Sequence, residues 1–365
     1  MPKILHIQPA LPRYRLDFFE RLSQRYGADM RVWYSPGSLG ALTSPVQAEW
    51  AIAVGPMRHL PAGLVWQPGI AFLPVRGGDV VVLSGNPRYL STLVLLLRAR
   101  LRGAHVVWWG HYWSSTSRRW RQLLRYLPMS LAHALLFYTD DEVEAFRADA
   151  LGLGKGAVLA ALNNGIDIAP IRALRTPYRA PDRDRALLFI GRLTVKADLA
   201  LGLEALARMG PEAPVLHVVG DGETREALEA RAAQLGLGEK VVWHGALTDE
   251  ARIAAVANRC QAFLYPGEVG LSLIHAMAYG LPALVHDTRR HHMPEIAAFR
   301  DGVTGQSFRH GDAAALAVVM QDMLADASAL EALSGGARAA IGPDFTTEGM
   351  AARFEALVRT LEESR

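Results

Sequence analysis

Cysteine is almost missing from this sequence: among 365 residues there is only Cys260. A disulfide framework within the chain is therefore excluded, and a reducing compartment is the natural setting. Cys260 lies in an alternating, strand-like stretch, where a lone thiol reads as a small buried hydrophobe and not as a nucleophile. Long apolar runs are also lacking. No window reaches the ~18 apolar residues of a membrane-spanning helix. The run Leu93–Leu97 gives way at once to Arg98, Arg100 and Arg102 and reads as a buried helix with a basic end. Met1–Ile7 leads into a short strand with no h-region or small-residue cleavage site, so no signal peptide is expected. Neither half carries G-x-G-x-x-G in a first βα turn, which argues against a nicotinamide-dependent oxidoreductase.

What is present is a globular composition, 50% hydrophobic and 21% charged, and enough chain for two α/β domains. The net charge of +3 conceals an asymmetry: residues 1–180 hold 21 Lys+Arg against 11 Asp+Glu, and the remainder hold 18 against 25. The two halves thus face different partners. A basic half suits lipid headgroups, a phosphate-bearing substrate or nucleic acid. No nucleic-acid-binding module accompanies the basic residues, so nucleic acid is not expected.

Short apolar strands alternate with helical patterns along the whole chain. Lys3–Ile7, Met30–Tyr34, Asp79–Ser84, His105–Trp109 and Leu135–Thr139 are the strands of the first half. Ala186–Ile190, Val215–Val219, Lys240–Trp243, Ala262–Tyr265 and Ala283–His286 follow in the second. Such alternation implies βα units and a parallel sheet, here twice over. Arg175–Arg185 is polar, charged and proline-containing and reads as a linker. The expected division is residues 1–174, a linker at 175–185, and residues 186–345. Helical patterns at Ala313–Ala325 and Gly349–Leu361 close the chain.

In open parallel sheets, ligands bind at the carboxyl ends of the strands. Gly191-Arg192-Leu193-Thr194-Val195-Lys196 follows one such end. The glycine admits a close approach, and the arginine and lysine suit a pyrophosphate. Gly220-Asp221-Gly222 follows the next, where a tight structural turn explains it equally well. At Tyr265–Pro282 a strand ends, a glycine-punctuated turn follows, and a helix runs from near Gly270 to Gly280-Leu281-Pro282. Its first turn offers free N–H groups and a positive dipole end to an anion. His275 shares a face with Leu271 and reads either as a core histidine or as a ligand contact. In the first half, His111 stands at a strand end in Trp108-Trp109-Gly110-His111-Tyr112-Trp113. Asn163-Asn164-Gly165 reads as a structural turn.

Taken in order, these segments resemble the retaining glycosyltransferases of family 4 (glycosyl transferases group 1), with the α/β GT-B fold of two Rossmann-like domains facing across a cleft. Over 186–345 the resemblance rests on GRL…K, VGDGE, HGALTD, the strand–turn–helix and MPEI…DGVTG. Over 1–175 it rests on YRLDFFERL, GNPRYL, WWGHYW, YTDDE and NNGID. It implies transfer of a sugar from a nucleoside-diphosphate sugar with retention at the anomeric carbon, without a metal or other cofactor. It also implies that 346–365 packs back on the acceptor-binding first domain. His111, Arg192 and Lys196 would then be catalytic, with the two cations stabilising the leaving diphosphate. Gly191, Gly245, Ala246, Leu247, Glu268, Val269, Gly270, Leu271 and His275 would line the donor site, and Arg13, Tyr14 and Arg15 the acceptor side.

The sequence departs from the usual pattern at three places. Gly267 and His275 stand where the family carries two glutamates, with Glu268 displaced by one. Lys196 comes one residue early. Pro9–Arg15 replaces a glycine-rich loop. The resemblance is to a subset with P-G-x-V-G-L and a histidine. The implied acceptor is a glycan or lipid-linked glycan of surface polysaccharide or lipopolysaccharide biosynthesis. A non-catalytic nucleotide-sugar-binding protein of the same fold is the alternative. Ser117–Leu127 interleaves Arg118, Arg119, Arg121 and Arg125 with Trp120 and leucines. It fits either a helix lying on an anionic bilayer or one packed by its apolar side. The expected location is cytoplasmic, with peripheral contact at the inner face of the cell membrane through 117–127.

Overall fold

The computed structural model describes residues 2–37, 46–112, 126–149 and 156–364. The chain forms two units, Met1–Asn164 with Thr347–Arg365, and Gly165–Thr346.

The first unit is built on a parallel sheet. Its strands are β1 (Ile4–Gln8), β2 (Met30–Tyr34), β3 (Ala51–Ala53), β6 (Val80–Ser84), β7 (His105–Trp109), β8 (Ala134–Phe137) and β9 (Val158–Ala161). Their order is β3-β2-β1-β6-β7-β8-β9. A separate two-stranded ribbon, β4 (Arg58–His59) and β5 (Val65–Trp66), is antiparallel. The central strands are apolar at nearly every position because helices cover both faces. On one face lie α1 (Leu16–Tyr26) and the C-terminal helix. On the other, α2 (Leu90–Leu101) and α3 (Asp140–Asp149) follow β6 and β8.

The second unit repeats the plan. It contains α4 (Ala169–Leu174), β10 (Ala186–Ile190), α5 (Leu199–Met209), β11 (Val215–Val219), α6 (Arg225–Gln234), β12 (Val241–Gly245), α7 (Glu250–Ala257) and β13 (Ala262–Leu264). Then come α8 (Leu271–Ala278), β14 (Ala283–His286), β15 (Gly305–Phe308), α9 (Ala313–Ala325) and α10 (Ala327–Ile341). All strands are parallel in the order β12-β11-β10-β13-β14-β15. That is the doubly wound 3-2-1-4-5-6 arrangement, whose order reverses between β10 and β13.

Helix α11 (Thr347–Glu363) returns to the first unit. It buries Met350, Phe354, Leu357, Val358 and Leu361, a three-and-four spacing that forms one apolar stripe. The stripe joins Phe18, Phe19 and Leu22 of α1 in one core cluster.

Three expectations need correction. Residues 175–185 are not a linker between the units; the chain crosses at Asn164/Gly165, and the segment is packed inside the second unit. Its charges are anchored to helix ends: Arg175 Nη1 donates to the carbonyl of Ala278, closing α8, and buried Arg183 donates to those of Ala257 and Cys260 beyond α7. Cationic caps on terminal carbonyls resemble a solvated charged linker in sequence. Cys260 precedes β13 and lies outside it; it is fully buried, and burial pushes its thiol up to about 12. The Leu93–Leu97 helix is buried on one face only, since Leu97 and Leu101 are exposed. Ser117–Arg125, like Trp113, lies outside the described residues. Among the described residues no single helix is long and apolar enough to cross a membrane.

Candidate functional site

The reversal of strand order places two loops side by side at the carboxyl ends of β10 and β13. The backbone ties them together: Gly267 N–H donates to Ala197 O at 3.1 Å and Glu268 N–H to Lys196 O at 2.8 Å. A Cβ on Gly267 would fall 2.0 Å from the Lys196 carbonyl oxygen, so no side chain fits there. That explains the displaced carboxylate. The acid sits one residue on, where Glu268 Oε2 lies 2.8 Å from Lys196 Nζ. Lys196 is largely exposed and the pair is accessible from solvent. Arg192 is also exposed on the same loop.

The β10 loop is held from its other side by the Gly220–Gly222 turn. Leu193 N–H donates to Asp221 O, and a Cβ on Gly222 would sit 2.2 Å from Leu193 O. The structural reading of that turn is therefore the observed one. Gly191 faces Tyr265 and Ser272, within 3.1 and 3.3 Å of its notional Cβ, which brings the β10 loop against the first turn of α8. Helix α8 begins after Gly270 with no side-chain cap. Its leading amides lack intrahelical partners and form a positive end beside Lys196 and Arg192.

The turn itself is braced from below by a residue the sequence reading did not single out. His292 Nδ1 accepts from Val269 N–H at 3.2 Å, and its Nε2 lies 2.9 Å from His286 O. Both contacts require a neutral ring carrying its proton on Nε2. Burial keeps His292 below the ordinary histidine range, with nearby cations adding to the effect and the hydrogen bond to His286 opposing it. Met293 N–H donates back to Val269 O, and buried Glu295 brings a carboxylate oxygen within 3.6 Å of a notional Cβ on Gly270. The only sequence trace of this support is His292-Met293-Pro294-Glu295, where the first residue looks like one of several surface histidines.

His275, in the last turn of α8, is hydrogen-bonded and is neither free nor a plain core histidine. Its Nε2 lies 2.8 Å from Glu250 Oε1, which also accepts from Tyr279 Oη at 2.5 Å. Glu250 is the first residue of α7, set there by the Asp249 N-cap, whose side chain accepts from Ala251 N–H. Burial alone would raise the Glu250 carboxyl, but the hydrogen bond and charge of His275, with the hydrogen bond from Tyr279, outweigh it and hold the carboxyl low. Burial and that same carboxylate push the Tyr279 hydroxyl up. The helix position that lacks a glutamate is thus supplied with a carboxylate from the neighbouring helix. Gly245 ends β12 with φ +69°, and its carbonyl accepts from Gly220 N–H. Ala246 is exposed and Leu247 packs partly on the core; both lie on the short connection to Glu250.

In the first unit His111 stands just beyond β7, 47% exposed, with its ring 4.2 Å from that of Tyr138. Its Nδ1 lies 3.3 Å from Glu142 Oε1. Glu142 is buried and also accepts from the backbone N–H groups of Tyr112 and Tyr138. This carboxylate joins the ends of β7 and β8 and orients the imidazole. In the sequence it passes for one of three acids in a helical first turn. Arg13 and Tyr14 are exposed. Arg15 is buried, its guanidinium 5.1 Å from the Trp109 ring and 5.7 Å from that of Tyr138. It stacks within the aromatic platform that supports His111, so its side chain is not a free acceptor-facing group.

The fold is the GT-B fold, two Rossmann-like α/β units. Residues 171–340 match the family described as Glycosyl transferases group 1. The chain is similar to a lipopolysaccharide 1,6-galactosyltransferase of Salmonella typhimurium, 29% identical over 123 residues, 32% of this chain and 34% of that one. It is 25% identical over 237 residues to the putative glycosyltransferase EpsD of Bacillus subtilis, 60% of each chain. The matches thus span about a third and three-fifths of these curated relatives. Among solved structures, Anabaena Alr3699/HepE in complex with UDP superposes with a TM-score of 0.70 at 15% identity, covering 98% of this chain and 100% of that one.

Proposed function

We propose that this protein is a retaining glycosyltransferase. It moves a sugar from a nucleoside-diphosphate donor to a glycan or lipid-linked glycan during surface polysaccharide synthesis, without a metal. The observation that carries the reading is the strand-order switch in the second unit. There Arg192, Lys196 and the uncapped start of α8 gather positive charge around one turn. The matched group 1 domain and the UDP complex of the similar Anabaena structure support a nucleoside diphosphate at that turn.

In this reading the pyrophosphate takes the place of Glu268 as the partner of Lys196, and Arg192 closes on it as a planar fork. Charge that develops on the leaving group meets preformed donors, which is where rate acceleration in such a transfer originates. His275, held by Glu250, presents the ribose contact that a second glutamate otherwise makes. His111, oriented by Glu142, belongs with the sugar and its acceptor. The proposed setting is the cytoplasmic side of a membrane bearing the acceptor.

A second reading, a nucleotide-sugar-binding protein without turnover, draws on Gly267 and His275 standing where carboxylates are usual. The paired Lys196–Glu268 and His275–Glu250 contacts favour an adapted site over a lost one. Thermal-shift measurement with UDP, GDP, TDP and their sugars, followed by nucleotide release with lipid-linked acceptors, separates the two. A shift with one base and acceptor-dependent release supports transfer. A shift without release from any donor supports the second reading. Arg192→Ala is expected to lower release by at least ~100-fold with the fold intact; near-normal turnover would remove Arg192 from the mechanism.

A further inference from the structure

Helix α2 has one buried face and one apolar face in solvent. Leu95, Leu96 and Ala99 are buried, whereas Leu97 is 52% and Leu101 86% exposed. Four residues apart, these two leucines share a side of the helix. Phe72, 73% exposed, lies against Arg98 of the same helix. Arg98 Nη1 donates to Ala71 O at 2.8 Å, its guanidinium lies 5.1 Å from the Phe72 ring, and Arg102 Nη1 donates to Val75 O at 3.4 Å. The loop 71–75 is thereby laced along α2. A helix apolar on all sides normally lies inside a protein. Large exposed hydrophobics gathered in one neighbourhood mark an interaction surface.

Charge indicates the partner. From residue 50 to residue 139 the sequence has ten arginines, no lysine and one carboxylate, Asp79. Asp79 is buried and accepts from Arg76 N–H. Arg76, Arg100 and Arg102 are exposed, and Gly78 N–H donates to Gly103 O, which brings the Arg76 turn to the end of α2. A second copy of this chain fits this surface poorly, because a two-fold contact sets arginines against arginines with no carboxylate between them. A bilayer with anionic headgroups fits both features: the apolar side chains enter the acyl boundary and the guanidinium groups stay with the phosphates.

We propose that Phe72, Leu97 and Leu101, framed by Arg76, Arg100 and Arg102, form a docking surface for an anionic lipid bilayer. It is independent of the donor site, so its test reads lipid binding and not transfer. The full chain is floated with vesicles of phosphatidylcholine containing roughly 30% phosphatidylglycerol, and with phosphatidylcholine alone. The wild type should float with the anionic vesicles only and be released by salt. Leu97→Ser with Leu101→Ser should reduce the bound fraction about tenfold or more at an unchanged melting temperature. Arg76→Gln with Arg102→Gln should reduce it by a similar factor and flatten the salt dependence. A wild type that fails to float overturns the proposal, as do double variants that float like the wild type. A concentration-dependent dimer lost in the leucine variant, without flotation, overturns it in favour of self-association.

Discussion

Two carboxylates act by holding a histidine. Glu142 receives His111 and two backbone amides in the first unit, and Glu250 receives His275 and Tyr279 in the second. A histidine at a strand end is conspicuous in sequence; the acid behind it is not, because it arrives from another element. Glu142→Gln keeps the shape but turns one acceptor oxygen into a donor, facing an N–H that it can no longer satisfy. Transfer is expected to fall ~10- to 100-fold with little change in donor affinity. Equal activity in the variant, measured as nucleotide release, would remove Glu142 from the positioning of His111. His292 offers a complementary case. Asparagine at 292 can accept from Val269 N–H, whereas leucine cannot. His292→Leu should weaken donor binding about tenfold and His292→Asn should recover part of it, as read by titration calorimetry with the nucleoside diphosphate.

At the scale of elements, the glycines decide where the turn after β13 can close. Gly267 and Gly222 are close-approach glycines, each facing a carbonyl oxygen of the β10 loop. Gly267→Ala forces that loop outward. A loss of at least ~2 kcal/mol in urea unfolding is expected, together with weaker nucleotide binding. Unchanged stability would mean that the two loops part freely. Helix α10 shows the converse problem for sequence reading. Gly335 and Gly336 lower its helical propensity, yet Gly336 is needed because a Cβ there would meet Val303 O at 2.0 Å. That helix, with the short strands β3, β9 and β15, left too weak a periodic signal to be anticipated. The strands His105–Trp109, Ala186–Ile190, Val215–Val219 and Ala283–His286 were legible to the residue because a strand buried on both faces is a nearly continuous apolar run, and Met30–Tyr34 was legible by its alternation of buried and half-buried positions.

Over the whole molecule, buried histidines set the response to acid. His6 is fully buried between Phe19, Phe354 and Trp109, and burial lowers it to about 3. Burial and the neighbouring imidazoles lower His286 to about 3 as well. Each stays neutral when folded and takes up a proton when unfolded, so the unfolded chain binds more protons between pH 6.5 and 3. Stability therefore rises with pH across that window and is lost as pH falls below about 6.5. The melting temperature should drop on going from pH 7.5 to 5. His6→Phe should flatten that slope and raise the midpoint by roughly 5 °C, since neither ring nitrogen has a hydrogen-bond partner among the described residues. A variant with the wild-type slope would assign the acid response to other groups.

The first unit is made from both ends of the chain, and this has a consequence in time. A ribosome delivers β1 through β9 early, but Phe354 and the rest of the stripe that covers Phe18, Phe19 and His6 come only after the roughly 180 residues of the second unit. At ~5–20 residues per second, that is a wait of ~10–40 s. During synthesis the second unit can finish while the first remains with an open aromatic pit. The nascent chain thus acquires its basic, arginine-rich half as its last completed surface.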